Sequence, residues 1–338
     1  MDKQKHATLR EVARHAGVST STVCRVLHGS GYVSEENRAQ VDAAVQELGY
    51  IPNRVAQGLK RHSTGMIGHI LPSTFPNPFI ARIAYGLDDE AERQGFHALD
   101  LFTYHNAELE SRLVREMAGR MVDGMVFTGA SAQENVQYVV DLGIPVVMVE
   151  RAYDIAGIDR VLADNTAGGY LATACLAGHN HRRIAYIGMQ KYHLVEEQRY
   201  QGYLSALLVA GIPQDDGMIR FVEEYKPAHG YEAMRSLMED GEPPTGVFLA
   251  SDLLAVGALQ YLYAKNIRVP QDVSLVGFDN TMAESLAPRL TTVAIPMEQM
   301  GRAAVEMLVR RIGRSGIPPQ SVTLPPTLLQ MESVRTLP

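Results

Sequence analysis

Residues 8–28 read TLREVARHAGVSTSTVCRVLH, a stretch on which two short helices can be laid. Leu9, Val12, Ala13 and Ala16 recur at i, i+3, i+4 and i+7, the apolar stripe of an amphipathic helix. Thr8 followed by Glu11 is a T-x-x-E capping box for its start, and Gly17 suits the left-handed residue that ends it. Ser19 is placed to cap a second helix. In it, Val23, Val26 and Leu27 face inward while Ser21, Arg25 and His28 face outward. Two helices joined by a glycine-containing turn make a helix-turn-helix, whose second helix fits the major groove of DNA. A helical hairpin from any small bundle is the plainer alternative. Against it, Thr20, Ser21, Thr22 and Arg25 gather hydrogen-bonding groups where base edges are reached.

Beyond this stretch, Ser34 opens a third helix, with Val41, Ala44, Val45 and Leu48 on its apolar face and Gly49 at its end. Pro52 blocks its continuation. Asn53 is placed to cap a further helix over Arg54–Lys60, too short to stand alone in water; a plain linker is the other reading. The first 62 residues hold nine Lys/Arg and six Asp/Glu, a balance of +3. Since the whole chain carries −7, the remainder carries −10. A basic head on an acidic body fits a segment that contacts phosphates.

From about residue 63 the pattern changes. Short apolar runs (MIGHIL, HALDLF, GMVFTG, PVVMVE) alternate with amphipathic helices over Ala81–Gln94, Leu109–Met121 and Gln133–Leu142. The rhythm repeats with RIAYIG, MIRFVE, GVFLAS and SLVGFD, and with helices over Arg199–Ala210, Tyr231–Met238 and Leu253–Lys265. Such alternation predicts parallel α/β sheets in two similar subdomains, with crossings near 290–296 and 321–326. A length of 338 residues, 46% apolar and 20% charged, describes a globular protein of two or three domains. No apolar run approaches the ~20 residues of a membrane span. The start lacks a secretory h-region, and Cys24 and Cys175 offer no disulfide framework, so the expectation is a cytoplasmic protein.

The motif T-L-x-E-V-A-x-x-A-G-V-S-x-x-T-V-x-R-V-L resembles the N-terminus of the lactose-repressor (LacI/GalR) family of bacterial transcription regulators. Further markers run to the C-terminus: NPF at 77–79, VDGMVF at 122–127, DN at 164–165, GH at 178–179 and R-x-x-GY at 199–203. SD at 251–252, VPQDVSLVGFDN at 269–280 and LTTV at 290–293 complete them. The chain departs from the family at Cys24 and His28, usually Ser and Asn, and at Gln57 and Gly58, usually Arg and Ser.

The resemblance implies an all-α helix-turn-helix head over residues 1–51 and a hinge helix over 52–62. An α/β effector-binding and dimerisation domain over 63–338 would follow, its two parallel-sheet subdomains resembling periplasmic sugar-binding proteins. Subdomain one is expected at about 63–163 and 294–322, and subdomain two at about 164–291 and 324–338. By matched position the head reads DNA with Thr8, Ser19, Thr20, Ser21, Thr22, Arg25 and His28. The hinge adds Asn53, Ala56, Leu59 and Lys60, with Leu59 as the apolar wedge between central base pairs. The resemblance likewise implies effector contacts from Phe79, Glu150, Arg151, His193, Arg199, Tyr225, Ser251 and Asp279. Their chemistry suits a sugar: carboxylates accept hydroxyl protons, a guanidinium donates, and an aromatic ring covers an apolar face. The plainer readings are that Arg199 pairs with Glu196 on the surface and that Tyr225 is packing.

No catalytic motif is present: there is no C-x-x-C, H-E-x-x-H, G-x-S-x-G, Walker A or G-x-G-x-x-G. His179 and His181, with no Cys or carboxylate close in sequence, read as surface or loop histidines and not as a metal pair. The expectation is a ligand-responsive repressor of a sugar or related carbon-source operon, not an enzyme, without cofactor or metal. It would bind a pseudo-palindromic double-stranded operator as a homodimer, away from membranes. A sugar-binding protein of periplasmic type without DNA activity is the alternative.

Overall fold

The computed structural model describes residues 7–28, 30–50, 63–72, 78–151, 153–189, 194–314 and 316–338. The chain divides into two compact units, residues 1–64 and 65–338. In the first, α1 (Leu9–His15), α2 (Thr20–His28) and α3 (Glu35–Glu47) close over Val12, Ala13, Ala16, Val23, Val26, Val41 and Ala44. The capping box forms in full. The Glu11 amide donates to Thr8 Oγ1 at 3.3 Å, and the Thr8 amide donates to Glu11 Oε2 at 2.7 Å. Gly17, at φ +67°, ends α1 in a Schellman motif: its amide donates to the Arg14 carbonyl and that of Val18 to the Ala13 carbonyl. Gly49, at φ +56°, ends α3 in the same way, with the Tyr50 amide donating to the Val45 carbonyl. Ser19 and Ser34 accept from the amides of Thr22 and Asn37, capping α2 and α3. The hinge residues Asn53, Ala56, Leu59 and Lys60 lie outside the described residues.

The second unit holds, among the described residues, two six-stranded sheets. The first is built from β1 (Met66–Leu71), β2 (His97–Phe102), β3 (Gly124–Thr128), β4 (Val146–Val149), β5 (Asp159–Ala163) and the late strand β11 (Ser321–Leu324). The second contains β6 (Ile184–Met189), β7 (Ile219–Val222), β8 (Gly246–Leu249), β9 (Ser274–Asp279), β10 (Thr291–Ala294) and β12 (Thr327–Leu329). The orders are β11-β5-β4-β3-β1-β2 and β12-β10-β9-β8-β6-β7. Leaving β11 and β12 aside, each is the 2-1-3-4-5 arrangement of a doubly wound sheet, with its switch point beside the first strand. All pairings are parallel except β10 with β12. Central strands such as β3, β8 and β9 are buried throughout, which is why they read as unbroken apolar runs.

Helices cover both faces of each sheet: α4 (Pro78–Arg93), α5 (Ala107–Gly119), α6 (Gln133–Asp141), α7 (Asn165–Gly178), α8 (Leu194–Val209), α9 (Pro227–Glu239), α10 (Asp252–Ala264) and α11 (Met297–Arg311). Besides β10 and β11, which lie in the expected crossings, four strands or α-helices fall where the sequence reading placed none: β5, α7, α11 and β12. The chain passes between the sheets after β5, after β10 and after β11. One apolar cluster spans both sheets, from Ile67 and Val147 to Tyr186, Phe248 and Phe278.

Helices α7 and α8 cross at a pair of glycines. A Cβ on Gly169 would run into the Arg199 carbonyl, and one on Gly202 into the Thr166 carbonyl. This close approach sets Arg199 beside Asn165 at the start of α7.

His181 lies in the loop between α7 and β6, as expected of a surface or loop histidine, but it is not on the surface. It is fully buried, its ring held between Thr245 Oγ1 at 3.0 Å and the Arg335 carbonyl at 3.1 Å. Burial pushes its pKa down. It fastens the C-terminal segment to the second sheet. Among the described residues no three His, Cys, Asp or Glu side chains gather as metal ligands. None of the described helices is long and apolar enough to cross a membrane.

Candidate ligand cleft and DNA-reading helix

On α2, Ser19, Thr20, Ser21 and Arg25 are exposed and Thr22 is partly so. Ser19 Oγ lies 2.7 Å from Ser21 Oγ and 2.9 Å from Thr22 Oγ1, so these hydroxyls form a linked set at the helix start. Thr8 is occupied by its capping box, its hydroxyl also donating to Glu11 Oε2. Arg25 has no ion-pair partner among the described residues, and its guanidinium is left for a phosphate or a base edge. Cys24 is only partly exposed. The side chain of His28 lies outside the described residues.

In the second unit the carboxyl ends of the strands open onto a cleft of about 300 Å³. This is at the small end of the range for ligand pockets, roughly 300–1,000 Å³. Pro72 follows β1, Gly129 follows β3, Glu150 and Arg151 follow β4, and Glu224 and Tyr225 follow β7. Ser251 follows β8, and Asp279 ends β9. Two helices add Phe79 and Ile80 from α4, and Val195, Glu196 and Arg199 from α8. The structure therefore brings seven of the eight expected residues to one cleft. His193 lies outside the described residues.

Arg199 is the centre of this cleft. It is 2% exposed, which removes the surface pairing with Glu196 as a reading. Its Nε donates to Asn165 Oδ1 at 2.8 Å, and its Nη1 donates to the Ala250 carbonyl at 2.7 Å. Its Nη2 stands 3.3 Å from Asp279 Oδ1. The Phe278 ring lies beneath, 4.1 Å from the guanidinium carbon. Burial opposes the charge, but Asp279, Glu150 and Glu196 outweigh it and hold the guanidinium protonated.

The carboxylates around it are strained in two senses. Glu150 and Asp279 take left-handed backbone conformations, φ +67° and +93°, which non-glycine residues adopt at a cost of about 1–3 kcal/mol. Burial also raises the pKa of each, with Arg199 pulling both back. Ser251, 2% exposed, caps α10 by accepting from the Leu253 amide and hydrogen-bonds Asp279. Asp252 accepts from the amides of Thr281 and Met282 and from the Thr292 hydroxyl, tying down the loop that follows Asp279. At the rim, Arg82 Nη1 on α4 donates to the Asn280 carbonyl at 2.9 Å, a latch between the two halves of the cleft.

Glu150 is pushed up to about 7, chiefly by burial, with Glu196 and Asp279 adding to it and Arg199 and Arg151 opposing. A folded-state pKa above the unfolded one means that the protonated form favours the fold. That contribution is complete below about pH 4.5 and is lost as pH rises through about 7. Glu150→Gln is expected to remove this loss, on the order of 2 kcal/mol between about pH 5 and about pH 7.5. Urea melts of both proteins at the two pH values check it; equal slopes would contradict it.

Sequence reasoning missed Asn165, Glu196, Asp252 and Phe278. For Asn165 and Asp252 the signal is the DN and SD pairs, family markers to which the resemblance attaches no role. The plainer alternative alone gives Glu196 a place, in a surface pair with Arg199, and SLVGFD gives Phe278 only as strand.

Residues 8–53 match the bacterial regulatory proteins of the lacI family, and residues 173–334 match the periplasmic binding protein-like domain. A ribose operon repressor of Haemophilus influenzae is 33% identical over 98% of this chain and 99% of its own. An HTH-type transcriptional repressor PurR of Yersinia pestis is 32% identical over 97% of each. Among solved structures, a transcriptional regulator CelR–cellobiose complex has a TM-score of 0.74 and 34% identity, covering 97% of this chain and 99% of that one. With its helix-turn-helix head, its two doubly wound sheets and full-length identity of this order to named repressors, the chain belongs to the lacI family and is a DNA-binding transcription regulator.

Proposed function

We propose that this regulator represses a carbon-source operon and that its effector is a small, uncharged polyhydroxylated molecule, a sugar or sugar derivative, held in the cleft around Arg199. One observation carries the reading. Glu196 Oε2 and the Tyr225 hydroxyl are buried at the cleft without a hydrogen-bond partner among the described residues, and Asp279 Oδ1 has only its ion pair with Arg199. Buried polar groups are normally satisfied, and such orphans at one cleft call for a ligand rich in hydroxyls, each able to donate and accept. Phe79, Ile80 and Val195 supply the apolar contact that a sugar ring needs. The relatives named for ribose and cellobiose support this chemistry. The protein is expected to act in the cytoplasm, as a regulator and not as an enzyme.

Melting the full-length protein against ribose, cellobiose, glucose and a set of flat heterocycles tests the proposal. A sugar at 100 times its Kd should stabilise the effector unit by about 2.7 kcal/mol. A rise with a heterocycle and with none of the sugars would contradict it.

On DNA, a homodimer is expected to cover a pseudo-palindrome, because one head spans only a half-site and two-fold protein symmetry is mirrored in the site. Thr20, Ser21 and Arg25 would read each half. Arg25→Ala is expected to lose about 1–3 kcal/mol of discrimination between operator and random DNA. Equal losses on both, measured by fluorescence anisotropy, would reduce Arg25 to a phosphate contact.

A further inference from the structure

We propose that Glu196 touches the ligand and acts as the charge filter of the cleft: it accepts a hydrogen from a ligand hydroxyl and keeps phosphorylated ligands out. The inference rests on the reading of the cleft as a sugar site.

Glu196 sits in the first turn of α8, one turn before Arg199, and is 6% exposed. Its Oε2 has no hydrogen-bond partner among the described residues. The groups that hold Arg199 are occupied differently: Asn165 and the Ala250 carbonyl accept from it, and Ser251 serves Asp279 and the Leu253 amide. A buried carboxylate oxygen without a donor is costly in the empty protein, and the cost is recovered when a ligand supplies the donor. The unpartnered Tyr225 hydroxyl belongs to the same cleft, so one ligand edge carrying hydroxyls satisfies both.

Charge points the same way. Glu224 and Lys226 pair with each other at the rim, at 2.5 Å. That leaves Glu150, Glu196 and Asp279 against Arg151 and Arg199, an excess of one negative charge once the pH is above the value of about 7 at which Glu150 ionises. A phosphate would add more negative charge to a partly desolvated site, whereas a neutral sugar adds none. Without the Glu196 charge the set is balanced.

The test is calorimetric titration of the full-length protein with ribose, glucose and cellobiose, and with the monophosphate of each. The wild type is expected to bind at least one neutral sugar about tenfold or more tightly than its phosphate. Glu196→Ala is expected to weaken that sugar about tenfold or more, through the lost acceptor. Glu196→Gln, which keeps the shape and removes the charge, is expected to narrow the preference over the phosphate about tenfold. Neither variant should melt below the wild type in the absence of sugar, because an unpartnered carboxylate does not hold the fold. A lower melting temperature in both variants would make Glu196 structural and overturn the proposal. Unchanged sugar affinity and unchanged preference would overturn it while leaving the sugar site standing. A wild type that binds none of these sugars would defeat the sugar reading itself, and the role of Glu196 with it.

Discussion

Arg199→Ala is expected to lose about 3–5 kcal/mol of stability in the effector unit, and with it all response to ligand. The reason is the asymmetry of buried ion pairs. Removing the guanidinium leaves the buried Asp279 without its ion-pair partner, and leaves Asn165 Oδ1 and the Ala250 carbonyl without a donor. The cost is that of the groups left behind, so it exceeds what the pair contributes. Neutralising Asp279 as well should recover part of it: Arg199→Ala with Asp279→Asn is expected to be more stable than Arg199→Ala alone. Urea melts of the two single variants and the double variant give the coupling directly. A loss below about 1 kcal/mol for Arg199→Ala, or no recovery in the double variant, would contradict a charged hub.

Gly202→Ala is expected to cost about 1–3 kcal/mol or somewhat more, and to weaken ligand binding at the same time. The added methyl meets backbone, the Thr166 carbonyl and the Tyr170 amide, and backbone cannot step aside as a flexible side chain can. The two helices must move apart, and Arg199 and Asn165 ride on them. Gly119→Ala is the matching control: it ends α5, is exposed, and its Cβ would meet nothing within 4 Å. There the same substitution should stabilise by up to about 1 kcal/mol, since glycine in a helix is unfavourable relative to alanine. Thermal melts of both variants check the opposite signs. A Gly202→Ala protein as stable as the wild type would mean that the α7–α8 crossing is loose.

The head was legible in the sequence almost atom by atom, because its determinants are local. Thr8 with Glu11, Gly17 with Val18, and Ser19 act within a few residues of themselves. The alternating strands and helices were legible for the same reason. Helix α7 was not. NTAGGYLATACLAG carries no charge on any face and so shows no amphipathic stripe, and Gly168 and Gly169 look like breakers until the helix they make room for is seen. Strand β5 was hidden by Asp159 and Arg160. The bidentate contact from Arg311, 152 residues away, together with the Gln320 amide, explains a fully buried aspartate there. The same limit applies to the cleft. Sequence placed Arg199 three residues from Glu196 and allowed a surface pair; burial is a property of the fold, and it turned the one into a hub and the other into a carboxylate awaiting a donor.

Sugar in the cleft is expected to control the grip on operator DNA. A ligand shifts that grip only through its differential affinity for the DNA-bound and free arrangements, typically about 1–3 kcal/mol of coupling. The direct measurement is the anisotropy of a labelled operator fragment, selected from genomic DNA by the protein itself, titrated with and without saturating sugar. Operator Kd is expected to change about 5–150-fold for the wild type and not at all for Asp279→Ala, which should still bind the operator. Sugar that binds the wild-type protein and leaves operator affinity unchanged would contradict this coupling.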